Sequence, residues 1–415
     1  MSTVTTTSTT PVVPTRSPLI GWLAVGSVML GIFSIVTAEI LPIGLLTSIG
    51  AGFDISDGAA GLMLTVPGIL AAIAAPVVTV ATGRLDRRLM LCALMLLLAV
   101  ADFLAAAAPA YWVMAISRVL VGLVIGGFWS IGAGLAVRLV RPERVGTATA
   151  VIFSAVPLGS VLGVPAGTLI GHLAGWRTAF VVMGVMTVGV LLALIVLVPP
   201  LPAVQATRLD VLVGLFRNVG VRVGLVLTFL IVMAHFGTYT YVTPFLQQVT
   251  RVSPGLVTTF LLVYGVAGIV GNFVAGATVT RGLRATFVVV GCMIAGATLL
   301  LPVFGGGDVG AIVLLIVWGL AYGAVPVCSQ TWFATSAPHA TEAASILFTS
   351  SFQATIAVGA LLGGVVVDAS SPSAVMVCGG AIAVLMVLTA TVSRAVPGPA
   401  PHRPGDRRSP RSAER

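Results

Sequence analysis

The sequence predicts an all-α membrane protein of twelve transmembrane helices, arranged as two pseudo-symmetric six-helix halves. Three observations predict it. Only 8% of the 415 residues are charged, where a soluble chain carries roughly 25%. Hydrophobic residues make up 58%, and the mean hydropathy is +1.13. Apolar stretches of the roughly 20 residues that a helix needs to cross a bilayer recur along the chain, separated by short arginine-bearing loops. No water-soluble fold hides that much apolar surface, so composition excludes a soluble enzyme. It also excludes a disordered protein, which needs the opposite balance. Continuous barrel-type alternation is absent, which leaves helices.

Residues 1–18 are rich in Ser, Thr and Pro and read as a disordered tail. They lack the basic start, short apolar core and cleavage site of a signal peptide. The first half, 19–198, holds spans near 20–46, 57–82, 89–108, 111–138, 147–172 and 176–198. A polar-containing linker, 199–221, divides it from the second half, 222–393. That half holds spans near 222–248, 254–279, 285–303, 309–335, 341–367 and 372–393. Residues 394–415 form a basic, disordered tail.

Arginine sets the orientation. With the N-terminus in the cytoplasm, the inner loops hold Arg84, Arg87, Arg88, Arg138, Arg141, Arg144, Arg208, Arg217, Arg222, Arg281 and Arg284. Six more arginines lie in the C-terminal tail, whereas the outer loops offer mainly Asp54, Asp57, Arg177, Arg251, Asp308 and Asp368. This positive-inside bias places both termini inside the cytoplasmic membrane. It also explains the net charge of +9 without nucleic acid. The halves echo each other: Arg84 and Arg87 recur as Arg281 and Arg284, and Gly122-Leu123-x-x-Gly126 recurs as Gly319-Leu320-x-x-Gly323 at the same shift. Such repeats place a transport path between the halves.

Several chemistries are excluded. All 21 basic residues are arginine, so the lysine of a P-loop or a Schiff base is missing. Cys92, Cys292, Cys328 and Cys378 lie far apart in apolar stretches and read as small buried hydrophobes. His172, His235, His339 and His402 are equally scattered. The sequence therefore implies no metal and no cofactor.

Ionisable groups within spans cost about 2.5–3.5 kcal/mol each on insertion scales and are functional candidates by default. Glu39, Asp102, Arg118 and His235 are the four that stand out, all in the outer half of the membrane by helical rise. One embedded cation with carboxylates at similar depth points to a charge pair or triad. Burial and the Arg118 charge pull the protonation of Glu39 in opposite senses, which suits a proton carrier. A static ion pair between spans 1 and 4 is the plain alternative. Asp102 can instead reach interfacial water, and His235 can be a hydrogen-bonded packing residue. Arg118 cannot lose its proton, so it belongs in the bundle interior.

In span 5, Pro157, Gly159, Gly163, Pro165, Gly167 and Gly171 form a seam of small residues with two prolines, able to bend or slide. Aromatic and amide groups line small-molecule cavities. Trp129, Tyr241, Tyr322 and Gln353 are the candidates here, with Phe128, Tyr239, Gln330 and Trp332 as weaker ones.

Three motifs carry a family resemblance: Gly83-Arg84-Leu85-Asp86-Arg87-Arg88 between spans 2 and 3, Arg118-Val119-x-x-Gly122, and the span 5 seam. They resemble those of the major facilitator superfamily, in its twelve-span drug:proton antiporter branch. The loop is a shortened form of the family's G-x-x-x-D-R motif, and Val164 intervenes in the seam between Gly163 and Pro165. The second-half loop keeps Arg281 and Arg284 but lacks the aspartate. Thr37 to Gly44, Gly127-Phe128-Trp129-Ser130, Gly175-Trp176-Arg177 and Trp318-Gly319-Leu320 are similar to a subgroup of purine ribonucleoside, arabinose-type and chloramphenicol-type exporters. The resemblance implies a monomeric secondary transporter that exports small molecules by proton antiport. Glu39 would couple the proton, Gly83, Asp86, Arg87 and Arg88 would gate, and spans 1, 4, 7 and 10 would line the cavity. An importer or facilitator of the same fold, or a non-transporting membrane sensor, are the other expectations.

Overall fold

The apolar stretches of the sequence are helices in a computed structural model, which describes residues 18–81, 85–129, 135–202, 214–338 and 340–393. The first half holds α1 (Pro18–Phe53), α2 (Asp57–Ala81), α3 (Arg87–Ala107), α4 (Tyr111–Trp129), α5 (Val145–Ala174) and α6 (Trp176–Leu197). The second holds α7 (Val219–Tyr239), the short α8 (Val242–Gln248), α9 (Pro254–Phe304), α10 (Asp308–Ser336), α11 (Thr341–Ala369) and α12 (Pro372–Val392). Every one of these except α8 is long and apolar enough to cross a membrane, 11 in all. Helix α9 counts once in that number, yet Gly282 (φ −176°, ψ 84°) breaks it into two legs. The described residues therefore make twelve crossings. Residues 1–17, the linker residues 203–213 and the 394–415 tail lie outside the description.

Local chemistry sets the ends. Asp86 caps α3 by accepting the Arg88 and Leu89 amides, and Asn218 caps α7 by accepting those of Gly220 and Val221. Ser371 caps α12, whose first residue is Pro372. Gly175 takes φ +84° to turn the chain between α5 and α6.

The structure departs from the expected spans in two places. The expected span 222–248 is interrupted at Thr240–Tyr241. Pro244 has no N–H to return to the Thr240 carbonyl, so one continuous helix cannot run through. Helix α4 is described as far as Trp129, and beyond residues 130–134, which lie outside the description, a separate turn runs over Ala136–Leu139, so one helix does not continue to 138. Two of the four cysteines also depart from expectation: Cys292 and Cys378 are exposed, where an apolar thiol faces lipid as readily as core. They share that outer surface with Trp112, Phe273 and Val392.

The repeat seen in the sequence has a physical counterpart. Gly122 and Gly126 of α4 admit the α2 backbone at Pro67 and Ala71, where a Cβ would meet carbonyl oxygens at 2.7 and 2.8 Å. Gly319 and Gly323 of α10 likewise admit the first leg of α9 at Tyr264 and Gly268. The same glycine pair thus joins equivalent helices in each half. A loop arginine in each half also reaches a helix end, although Arg88 stands one place beyond Arg87, the repeat counterpart of Arg284. Arg88 donates to the Ile195 carbonyl at the end of α6, and Arg284 to Ala390 and Thr391 at the end of α12. A cation at a helix C-terminus is favoured by the helix dipole.

Candidate functional site

Helix α1 presents two chemically different faces. Thr37, Leu41 and Leu45 lie under Gly163, Gly167 and Gly171 of α5, and Val36 lies under Gly159. The span 5 seam is therefore the surface on which α1 packs, with Pro157 and Pro165 inside the same helix. Glu39 points elsewhere. It is half-buried, and its Oε1 accepts a hydrogen bond from Gln353 Nε2 of α11 at 2.8 Å. Gln353 is itself buried. The bond crosses from one half of the molecule to the other.

Arg118 lies within the first half and is fully buried. Its Nη1 donates to the Ala38 carbonyl at 3.0 Å, and Nη2 and Nε reach Ser117 Oγ at 3.0 and 3.3 Å. The guanidinium lies over the Phe180 ring, 5.2 Å from its centroid. Asp102 of α3, also fully buried, makes no hydrogen bond to Arg118, and its Oδ2 accepts from Thr187 at 3.4 Å. The expected Glu39–Arg118 ion pair is not formed among the described residues. Successive residues of a helix point about 100° apart, so a carbonyl engaged at Ala38 leaves the Glu39 side chain free to face the other half.

His235 sits in an aromatic stack. Its Nδ1 accepts from Trp318 Nε1 at 3.1 Å, which requires a neutral ring with the proton on Nε2. Tyr322 stacks on it with centroids 3.4 Å apart and planes 7° apart. Tyr239 and Tyr264 lie beyond, at 5.1 and 6.4 Å. Nε2 of His235 and the Tyr264 hydroxyl are buried without a hydrogen-bond partner. Tyr322 is half-buried and close enough to Glu39 to feel its charge. The structure therefore brings Glu39, Gln353, Tyr322 and His235 into one region.

The other expected site residues lie apart from it. Tyr241 is fully buried and donates to the Ala360 carbonyl at 2.7 Å, wedged against Gly61 and Gly364. Trp129 is the last described residue of α4, but its side chain is outside the description, as is Gly83. Of the expected gating loop, Asp86 and Arg88 are engaged with α3 and α6, and the Arg87 amide donates to the Leu201 carbonyl at 2.8 Å. Among the described residues no three His, Cys, Asp or Glu side chains group as metal ligands do.

One feature escaped the sequence reading. The halves are also fastened at the far end of the bundle, opposite Pro18 and Val392. Asp368, in the last turn of α11, accepts from Ser56 Oγ at 2.6 Å and from the Gly58 amide at 2.9 Å. Asp57 accepts from Gln248 at 3.1 Å, and Thr243 donates to the Ile43 carbonyl at 2.9 Å. The small residues Gly58, Gly61 and Gly68 along one face of α2 were the available signal. Each admits a neighbour from the other half.

Comparison with known proteins gives consistent results. The family description Major Facilitator Superfamily matches residues 28–359. The chain is similar to the "Transcription regulatory protein OpdE" of Pseudomonas aeruginosa, with 33% identity over 383 residues, covering 89% of this chain and 94% of that protein. Among solved structures it resembles a bacterial homologue of the human lysosomal transporter Spinster in an inward-facing, unoccupied conformation. The TM-score is 0.68 at 14% identity, covering 91% of this chain and 96% of that one. It also resembles the human organic anion transporter MFSD10, with TM-score 0.65, 18% identity, and 89% and 99% coverage. A peptide transporter solved with sulfate gives TM-score 0.75 at 13% identity, covering 91% of this chain and 96% of that one. At these identities the structural likeness is one of fold alone.

Proposed function

The chain belongs to the major facilitator superfamily, and from that premise we propose that it exports small organic molecules of the drug, nucleoside or sugar class in exchange for protons. It is a multi-pass membrane transporter and not an enzyme. The observation that carries the antiport reading is the Glu39–Gln353 bond. A titratable group whose partner lies in the other half links proton binding to the relation between the halves.

The arginine distribution supports a cytoplasmic membrane location with both termini inside, so that the fastened far end faces outward. In this cycle a proton from outside neutralises Glu39, weakens its bond to Gln353 and accompanies substrate release. Loss of that proton to the cytoplasm restores the charge and readies the site for new substrate. Inward proton movement supplies about 2.3 kcal/mol per 100 mV and about 1.4 kcal/mol per pH unit. Arg118 holds α1 from within the first half, Tyr322 contacts substrate, and the Asp86–Arg88 loop governs closure of the inner end. The transporter works as a monomer.

The test is substrate-induced proton movement in everted vesicles, with purine nucleosides, pentoses and amphenicol-type drugs as the panel. Proton release with one class, lost in Glu39→Gln, is the expected result. Proton-driven efflux that persists at the wild-type rate in Glu39→Gln would remove Glu39 from the mechanism. Substrate uptake without proton release would assign an importer or facilitator instead.

One observation favours a second reading, in which the chain senses a ligand and acts on gene expression: the name carried by its Pseudomonas aeruginosa relative. The two readings separate in a deletion strain complemented with Glu39→Gln. Restored transcription without transport supports the sensor, whereas joint loss of both supports the exporter.

A further inference from the structure

The Ala38 carbonyl occupies an unusual position in α1. In an unbroken helix it would accept the amide of the residue four places on. That residue is Pro42, which lies inside α1 and has no N–H. The proline ring also presses on the carbonyl four residues back and tilts it out of the helix. A carbonyl freed in this way within a membrane must find another donor. It finds Arg118, whose Nη1 lies 3.0 Å away. We infer that Pro42 is a positioning residue: by leaving the Ala38 carbonyl unclaimed, it docks Arg118 one residue from Glu39.

The rest of the Arg118 environment fits a side chain brought to α1 for this purpose. Its other nitrogens turn back to Ser117 on its own helix, and its plane lies over Phe180 of α6. Asp102 on α3 forms no hydrogen bond with it, its Oδ2 accepting from Thr187 instead. Among the described residues the Ala38 carbonyl is its one hydrogen-bond acceptor on α1. A guanidinium held there fixes the rotation of α1 where Glu39 leaves the helix to meet Gln353. The inference uses the proposed role of Glu39 for its consequence in transport, but the docking itself does not depend on that role.

The experiment is a double-mutant cycle read by thermal melting of the purified full-length protein. Pro42→Ala returns an N–H to the helix and closes the turn over the Ala38 carbonyl. Its own melting temperature sets two effects against each other, the helix strengthened by losing an interior proline and the acceptor lost to a buried guanidinium, so the test is read from the cycle. In that background Arg118→Gln should lower the melting temperature by less than half of what it does in the wild type. Equal losses in the two backgrounds would overturn the inference. Pro42→Gly supplies the same N–H with a different backbone stiffness. It must reduce the Arg118→Gln loss in the same sense, and it carries the test should the alanine variant fail to fold. A second arm follows proton-coupled efflux against pH, where a stable Pro42→Ala protein should show a displaced profile. An undisplaced profile with a positive melting cycle would confine Pro42 to docking and count against the role of Glu39. An additive melting cycle sinks the docking whatever the efflux does.

Discussion

Gln353 of α11 and Glu39 of α1 meet across the boundary between the halves, the amide Nε2 donating to the carboxylate Oε1 at 2.8 Å. Four other hydrogen bonds that cross this boundary among the described residues lie toward the far end, at Ile43–Thr243, Asp57–Gln248 and the two to Asp368. The Glu39 bond is therefore the innermost of the set.

If that bond links the halves, Glu39→Ala and Gln353→Ala remove the same interaction. Their effects should then be less than additive. A hydrogen bond to a charged group contributes about 1.5–3 kcal/mol, and contacting pairs show coupling of that order. Thermal melting in detergent checks this. The double variant should melt no lower than the worse single variant, and fully additive losses would mean that the two side chains act separately.

The glycine contacts give a matched pair on one helix. A Cβ at Gly271 would drive into the Leu320 backbone carbonyl, whereas one at Gly276 meets nothing within 4 Å. Backbone cannot yield as a flexible side chain does, so Gly271→Ala should cost about 1–3 kcal/mol or more. Gly276→Ala should be neutral or stabilise by about 0.5–1 kcal/mol. Melting temperatures of the two variants decide the matter, and equal shifts would contradict the α9–α10 packing.

Much of this architecture was legible in the sequence. Hydrophobic length marked the crossings, and the recurrence of Gly122 and Gly126 as Gly319 and Gly323 foretold equivalent packing in the two halves. Glu39, Arg118, Asp102 and His235 stood out because charge inside a membrane is costly. Their partners did not. Depth along a helix can be counted from sequence, but the direction a side chain faces depends on which neighbour the helix packs against. Arg118 thus went to the Ala38 carbonyl rather than to the adjacent Glu39 side chain. Pro42 was a readable sign of that outcome, since a proline frees the carbonyl four residues back. The Asp368 contacts join residues 310 and 312 positions apart, and the small residues of α2 marked only the face on which they form.

Trp318 and His235 form a buried donor–acceptor pair. Trp318→Phe leaves Nδ1 without its donor and should cost about 1–3 kcal/mol, beyond what the smaller ring loses in packing. Removing both polar partners is gentler than removing one. Adding His235→Phe to Trp318→Phe should therefore recover part of the lost melting temperature. A double variant that melts below Trp318→Phe would show that the imidazole has another essential contact.

At the far end, Ser56 already caps α2, since its Oγ accepts the Ala59 amide at 3.1 Å. Asp368 extends that cap from the other half, taking the Ser56 hydroxyl on one oxygen and the Gly58 amide on the other. A carboxylate at a helix N-terminus is favoured by the helix dipole as well as by the hydrogen bonds. Any motion that parts α2 from α11 must break both contacts, so Asp368→Ala should favour the form open at that end. Loss of an N-cap costs about 0.5–2 kcal/mol, a shift of about 2- to 30-fold in the closed-to-open ratio. The measurement is the distance between spin labels at Leu173 and Val309, exposed at the far ends of α5 and α10, after replacement of Cys92, Cys292, Cys328 and Cys378. The longer distance should gain population in Asp368→Ala and, by a smaller amount, in Ser56→Ala. Identical distributions in wild type and Asp368→Ala would show that the α2–α11 packing closes this end without the carboxylate.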